Sequence, residues 1–134
     1  IEPKLGPKRT VEESYLYRDL WDKGTIIING TDVPVEDANP IPSFYGMVAR
    51  KSKDGKVFTP EQRLTREEAL KAYTLNGAYA AFQEKDLGSI SVGKLADITV
   101  LSKDIMRVPE DEILTAEVVY TILGGQIKYQ QPTP

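Results

Sequence analysis

The 134-residue chain contains neither cysteine nor histidine. Without cysteine it can form no disulfide and no thiolate metal site, which fits a cytoplasmic protein. Without histidine it lacks the usual general base and the commonest transition-metal ligand. A complete hydrolytic site of the Ser-His or multi-histidine type therefore cannot be built from this chain.

Long apolar runs and a strong charge of one sign are also missing. No stretch approaches the roughly 20 apolar residues of a membrane span, and nothing resembles a signal peptide. The net charge is −3 with both signs interspersed, which argues against a surface for nucleic acid. The 40% hydrophobic residues predict a globular domain with a real core.

Because the chain opens at Ile1 and both methionines are internal, we expect it to be a piece of a longer product.

The segment 24–40, GTIIINGTDVPVEDANP, holds the leading candidate site residue. Residues 25–28 are β-branched at consecutive positions, which is typical of a strand buried on both faces. Asp32 follows shortly after, and the carboxyl ends of buried parallel strands are where α/β proteins place their chemistry. The residues around Asp32 fit the cap of a turn as well, and taken alone they favour that interpretation.

The capping-box spacing of Thr10 and Glu13 predicts a helix over 11–23. It follows an irregular lead-in over 1–9 and ends at Gly24, where we expect a left-handed cap. Helix, glycine and buried strand together form one αβ unit.

Prolines dominate the next segment and predict a loop over 33–42. Ser43 is the expected cap of a short helix that buries Phe44, Met47 and Val48.

A second long helix is predicted from Thr65, with Glu68 at capping-box spacing, to about Gln83. Gly77 lies inside it, and a helical glycine costs about 1 kcal/mol relative to alanine. We therefore expect a tight packing contact at Gly77.

From Gly88 onward the sequence changes to strand-like patterns. One strand is predicted over 98–101 and a helical turn over 109–113. A diglycine between two β-rich runs, 118–123 and 126–129, is a strong hairpin signal. A boundary near Gly88 thus separates a helix-rich part, residues 1–87, from a strand-rich part, residues 88–134.

Several polar residues allow both a functional and a structural interpretation. Lys94 and Asp97 fit a turn that enters a strand better than a phosphate loop, because the glycine spacing of that motif is absent. Arg18 could reach the mouth of a barrel or join a surface ion pair. Glu36, Asp37 and Asn39 are expected on a solvated loop, although this loop could also meet a substrate. Arg50, Lys51 and Lys53 are expected to be exposed at a helix end and turn.

Four motifs together resemble the amidohydrolase superfamily of metal-dependent hydrolases. Their sequences are YRDL at 17–20 with GTDVPVE at 30–36, LTREEAL at 64–70, GSI and GKLADI between 88 and 98, and ILGGQI at 122–127. The third is the most specific, and resembles the return of the chain into the small β-sandwich that accompanies the barrel of these enzymes. Thr31 stands where serine is expected, which is a mild departure.

The resemblance implies an α/β fold and the carboxyl-terminal fragment of a (β/α)₈ barrel. Residues 1–87 would supply the last strand and the helices after it, and residues 88–134 part of a composite β-sandwich. By the same likeness Asp32 would be the aspartate that ligates the metal and takes a proton from its bound water. The intact enzyme would use a divalent metal, with zinc the expected ion, on a small-molecule substrate.

The fragment alone would be inactive and would bind no metal tightly, since about three protein ligands are usual for catalytic zinc. Its exposed apolar faces would favour self-association. Two other interpretations stay open: a non-catalytic binding or assembly module that is complete in itself, and a subunit that completes a barrel with another chain.

Overall fold

A computed structural model describes residues 2–132 of the chain and contains short helices followed by an antiparallel sheet. None of the helices in this range is long and apolar enough to cross a lipid bilayer. Two 3₁₀ turns, Pro60–Gln62 and Glu110–Thr115, join the other elements. The helices are α1 (Glu2–Leu5), α2 (Pro7–Glu13), α3 (Tyr17–Asp22), α4 (Ile41–Ala49), α5 (Arg66–Tyr73) and α6 (Leu75–Ala80), and the strands are β1 (Ile98–Leu101), β2 (Val118–Leu123) and β3 (Gln126–Gln130).

The sheet follows the sequence prediction closely. Its strands lie in the order β1-β2-β3 with antiparallel neighbours. Gly124 and Gly125 make the β2–β3 turn at φ 56° and 77°, a region that glycine reaches without steric cost. The carboxylate of Asp97 accepts a hydrogen bond of 2.7 Å from the Gly124 amide. The turn is thereby fastened to the residue before β1.

The amino-terminal helix prediction was wrong. Residues 2–9 are largely helical in α1 and α2 rather than irregular, and the helix expected over 11–23 is two helices. The break includes Tyr15, whose φ of 55° is incompatible with a right-handed helix. Thr10 lies inside α2 and donates its hydroxyl to the Gly6 carbonyl at 2.7 Å. Its side chain therefore serves the preceding turn and caps no helix start.

The helix predicted from Thr65 is also interrupted, by Thr74, into α5 and α6. Its start is confirmed. The Glu68 amide donates to the Thr65 hydroxyl at 3.2 Å, and the Thr65 amide donates to the Glu68 carboxylate at 2.7 Å. This reciprocal pair is a capping box.

The buried core draws on both the helices and the segment after Gly88. Helix α4 supplies half of it, and it buries the three side chains predicted for it, although it begins two residues before Ser43. Ile113 is completely buried against this cluster. The cluster consists of Ile41, Phe44, Tyr45, Met47, Val48, Ala49, Leu64, Ala69, Ala72, Ile105, Ile113 and Ala116.

Residues 25–28 form an extended segment but no strand, so the strand predicted there is absent from the structure. Ile27 packs against the core, whereas Ile26 and Ile28 are 50% and 55% exposed. Within residues 2–132 the amides of 26–28 have no hydrogen-bond acceptor. A strand buried on both faces requires neighbours along its edges, and the described chain places none there.

This extended segment is fixed to the helices at two points. The Asn29 amide donates to the Ala72 carbonyl at 3.1 Å. The Asn76 side chain donates to the Ile27 carbonyl at 2.8 Å. One side of the segment is therefore attached to α5 and α6, and the other side faces solvent.

The close packing expected at Gly77 occurs at Gly88 instead. A Cβ at Gly77 would meet nothing within 4 Å. A Cβ at Gly88 would lie 2.9 Å from the Ala78 Cβ and 3.0 Å from the Leu75 Cα, and the φ of Gly88 is +84°. Gly88 therefore packs closely against the small residue Ala78 on α6, and a side chain at position 88 would collide with it.

We expect Gly88→Ala to lower the free energy of unfolding by about 2–3 kcal/mol, because backbone strain adds to overpacking. Urea unfolding followed by circular dichroism measures this change. Gly55→Ala is the matched control, since Gly55 has a similar φ of +81° but an empty surrounding. Equal losses at both positions would show that the contact with Ala78 contributes nothing.

Candidate functional site

A cleft of about 960 Å³ lies between α4 and the loops on either side of it. Its lining includes Asn29, Thr31, residues of the 36–39 loop, residues 50–55 and Phe58. Tyr15, Tyr17 and Tyr45 give this cleft an aromatic character.

Asp32 follows the cleft-lining Thr31 and is exposed. Its φ is 54°, and its carbonyl accepts a hydrogen bond of 2.7 Å from the Val35 amide. Asp32 therefore lies in a turn, which agrees with the alternative prediction that this residue caps a turn. No three Asp or Glu side chains of residues 2–132 converge into a possible metal site. The role of Asp32 as a metal ligand stays a prediction.

The alternation of side chains along 26–29 defines two sides of the segment that leads to Asp32. The Asn29 side chain points toward α4, where its amide nitrogen lies 2.9 Å from the Met47 sulfur. Ile27 points the same way, into the core. Ile26 and Ile28 therefore face the opposite side, away from the helices.

The loop after Asp32 is held by its own polar groups. Glu36 pairs with Lys53 at 3.0 Å, and both residues line the cleft. The Asp37 carboxylate accepts from the Asn39 amide at 2.9 Å, and the Asn39 side chain accepts from the Ile41 amide at 3.0 Å. The last of these contacts satisfies an amide at the start of α4.

Arg50 was predicted to be exposed, and that prediction was wrong. It is 7% exposed and ends α4 in the left-handed region, at φ 53°. Its Nε donates to the Phe58 carbonyl at 3.2 Å and its Nη2 to the Thr59 hydroxyl at 2.5 Å. Burial lowers the pKa of Arg50, and burial also raises the pKa of the neighbouring Tyr17 phenol. The sequence around Arg50 contains no pattern that predicts the burial of its side chain.

Asp111 lies at the edge of the same cleft and receives two donors on one oxygen. Tyr45 donates its hydroxyl at 2.9 Å, and Lys51 donates its ammonium at 3.1 Å. These contacts lower the pKa of the Asp111 carboxyl. They connect α4 to the 3₁₀ turn Glu110–Thr115, which sequence spacing could not reveal.

Comparison with known proteins decides the family. The model of the Amidohydrolase family matches residues 1–129, nearly the whole chain. The chain belongs to the amidohydrolase family. It is 37% identical over 130 residues to protein LONG AFTER FAR-RED 3 of Arabidopsis thaliana, covering 96% of this chain and 22% of that protein. It is 30% identical over 114 residues to an N-substituted formamide deformylase of Arthrobacter pascens, covering 85% and 21%.

A solved amidohydrolase from Thermotoga maritima MSB8 has a similar fold. The TM-score is 0.66 at 20% sequence identity, covering 87% of this chain and 26% of that structure. The amidohydrolase chain described here therefore spans between about a fifth and a quarter of the proteins that it resembles.

In this amidohydrolase chain Arg18 is part of an ion-pair network. Its guanidinium binds both carboxylate oxygens of Glu68, one of them at 3.0 Å, and also Asp22 at 3.0 Å and the Arg63 carbonyl at 3.1 Å. Arg18 lowers the pKa of the Glu68 carboxyl to about 2. The sequence allowed Arg18 either to reach the mouth of a barrel or to join a surface ion pair. The ion pair is confirmed, and Arg18 is partly buried in it.

Lys94 has a structural role, as its sequence context favoured. Its ammonium donates to the carbonyls of Glu84 and Leu87 at 2.6 and 2.8 Å. The turn between α6 and the sheet is thereby closed by one side chain.

Proposed function

We propose that this chain is the carboxyl-terminal part of a cytoplasmic, metal-dependent amidohydrolase that hydrolyses amide-type carbon–nitrogen bonds. Residues 1–87 would contribute the last strand of a (β/α)₈ barrel and its helices, and residues 88–134 part of a composite β-sandwich. The observation that carries the proposal is the one-sided segment 25–28. Its exposed isoleucines and free amides fit a strand that awaits neighbours, and it leads directly to Asp32 beside the cleft.

The reaction class is supported by the deformylase among the relatives. A divalent metal such as zinc would polarise the scissile carbonyl and bring the pKa of bound water to about 7. Asp32 would then accept the proton of the attacking water on a carboxylate oxygen and deliver it to the leaving nitrogen. The exposure of Asp32 leaves its carboxylate accessible for this work. N-formyl amines and cyclic amides are the substrates to test first in the intact enzyme.

The donors of the described chain do not suffice for the metal. Asp32 offers a single carboxylate, and residues 2–132 contain no cluster that could complete its coordination. The remaining metal ligands would come from other parts of the intact enzyme.

We expect calorimetric titration of the isolated chain with zinc to show no stoichiometric site, because one carboxylate cannot replace about three ligands. The Asp32→Asn variant should give the same weak signal. Submicromolar zinc binding that Asp32→Asn abolishes would contradict the division of ligands between this chain and the rest of the enzyme.

A second candidate is a non-catalytic binding or assembly module. It is favoured by the buried core, which helices and the later segment share within this chain. Light scattering at low concentration separates the two candidates. The barrel fragment should self-associate through the exposed side of 25–28, and Ile28→Lys should reduce this association, whereas a compact monomer supports the module.

A further inference from the structure

We propose that Arg50 forms a binding site for a small organic carboxylate in the cleft beside α4. The site goes beyond the proposed hydrolase activity and requires neither Asp32 nor a metal. It rests on a buried cation without an ion-pair partner within 4.0 Å among the described residues, on its remaining N–H donors and on the aromatic side chains around it.

The first observation concerns charge. Arg50 is only 7% exposed, and no carboxylate of residues 2–132 lies within 4.0 Å of its guanidinium, since the Glu61 charge acts on it from farther away. Its hydrogen bonds go to neutral oxygens, those of Phe58, Thr59 and the Tyr17 phenol. Buried charges in proteins are normally paired, because desolvation without compensation is costly. Arg50 is therefore a buried cation that lacks a direct ion pair among the described residues.

The other cations of the cleft are already neutralised. Lys51 pairs with Asp111 at 3.1 Å, and Lys53 pairs with Glu36 at 3.0 Å. An anion that enters the cleft thus finds its available counter-charge at Arg50.

The second observation concerns geometry. A guanidinium has five N–H groups, and those of Arg50 have three acceptors among the described residues, the Phe58 carbonyl, the Thr59 hydroxyl and the Tyr17 phenol. About two N–H groups are left for a ligand, and Arg50 lines the cleft. A guanidinium edge with free N–H groups matches the two oxygens of a carboxylate.

The third observation is that the guanidinium is held in place before any ligand arrives. Its carbon lies 5.0 Å from the Tyr17 ring and 5.4 Å from the Phe58 ring. Tyr15 packs edge-on against both of these rings. A fixed guanidinium loses little entropy on binding, and the rings offer an apolar surface to the body of an organic acid.

The surroundings favour a monoanion over a phosphate. Asp37, Asp54 and Asp111 line the same cleft, and their charges oppose a dianion more strongly than a single carboxylate.

Benzoate is the probe, with benzamide as its neutral analogue, and the readout is the NMR resonance of the Arg50 side-chain Nε–H in the isolated chain. Benzoate should shift this resonance in a saturable manner and bind about tenfold more tightly than benzamide, as expected for charge-assisted hydrogen bonds. Inorganic phosphate should bind more weakly than benzoate.

Arg50→Lys keeps the charge but removes the planar edge, and should weaken benzoate binding about tenfold. Lys53→Gln is the matched control in the same cleft, and should leave the affinity within about twofold, because Lys53 is paired with Glu36. If Arg50→Lys does not fold, the resonance of the unchanged protein decides the question. Equal binding of benzoate and benzamide, an unmoved Arg50 resonance, or tighter binding of phosphate would each overturn the proposal.

Discussion

We expect Asp32→Asn to reduce kcat/KM of the intact enzyme by about 10³-fold or more, because loss of a positioned proton acceptor removes about 10²–10⁴-fold and loss of a metal ligand adds to it. Asparagine keeps the size of the side chain. Asp32 is exposed, and its structural contact is through its backbone carbonyl. The variant should therefore fold normally and lose activity only.

Asp37→Asn is the matched control for this experiment. Asp37 lies on the same loop and lines the cleft, and asparagine can still accept the hydrogen bond from the Asn39 amide. Activity should stay within about threefold of the unchanged enzyme, as is usual for a surface polar substitution. Full activity of Asp32→Asn would remove Asp32 from the mechanism, and equal losses at both positions would indicate a general effect of the loop.

Glu68→Ala should have the largest effect on stability, a loss of about 4 kcal/mol. It leaves the half-buried guanidinium of Arg18 without its bidentate partner and removes one half of the capping box. Glu68→Gln keeps the cap but not the charge, and should cost less. Urea unfolding at neutral pH measures both changes, and Glu67→Ala is the exposed control.

The Glu68 ion pair also makes stability depend on pH. The pKa of the Glu68 carboxyl is about 2 in the folded chain against an ordinary value of 4.5, so the unfolded chain binds the proton more readily. The contribution is complete above about pH 4.5 and is lost as the pH falls toward 2, amounting to about 3 kcal/mol. Glu68→Gln should flatten this part of the profile, and an unchanged slope would show that other carboxylates cause it.

The elements that the sequence predicted correctly are those whose signals are local. The diglycine hairpin and the Thr65 capping box depend on conformations and hydrogen bonds within a few residues. Strand 98–101 pairs with the same hairpin, and its prediction held as well. Nothing distant has to be known to predict these elements.

The failures involve contacts that reach beyond the few residues of a single turn or cap. The helix over 11–23 breaks near Tyr15, which packs against Phe58. The tight glycine is Gly88, because its neighbour Ala78 approaches from α6. Arg50 is buried because two aromatic rings and two loop oxygens surround it. Asp32 follows Thr31 of the cleft lining, and its role as a metal ligand stays a prediction.

The reactivity of Lys94 can show whether the connection between the helices and the sheet is closed. The Lys94 ammonium directs its hydrogens at the carbonyls of Glu84 and Leu87, and we expect it to react more slowly with acetylating reagents than the exposed Lys85. Slow labelling of Lys94 would thus indicate that the connection between helices and sheet is closed, and rapid labelling that it has opened.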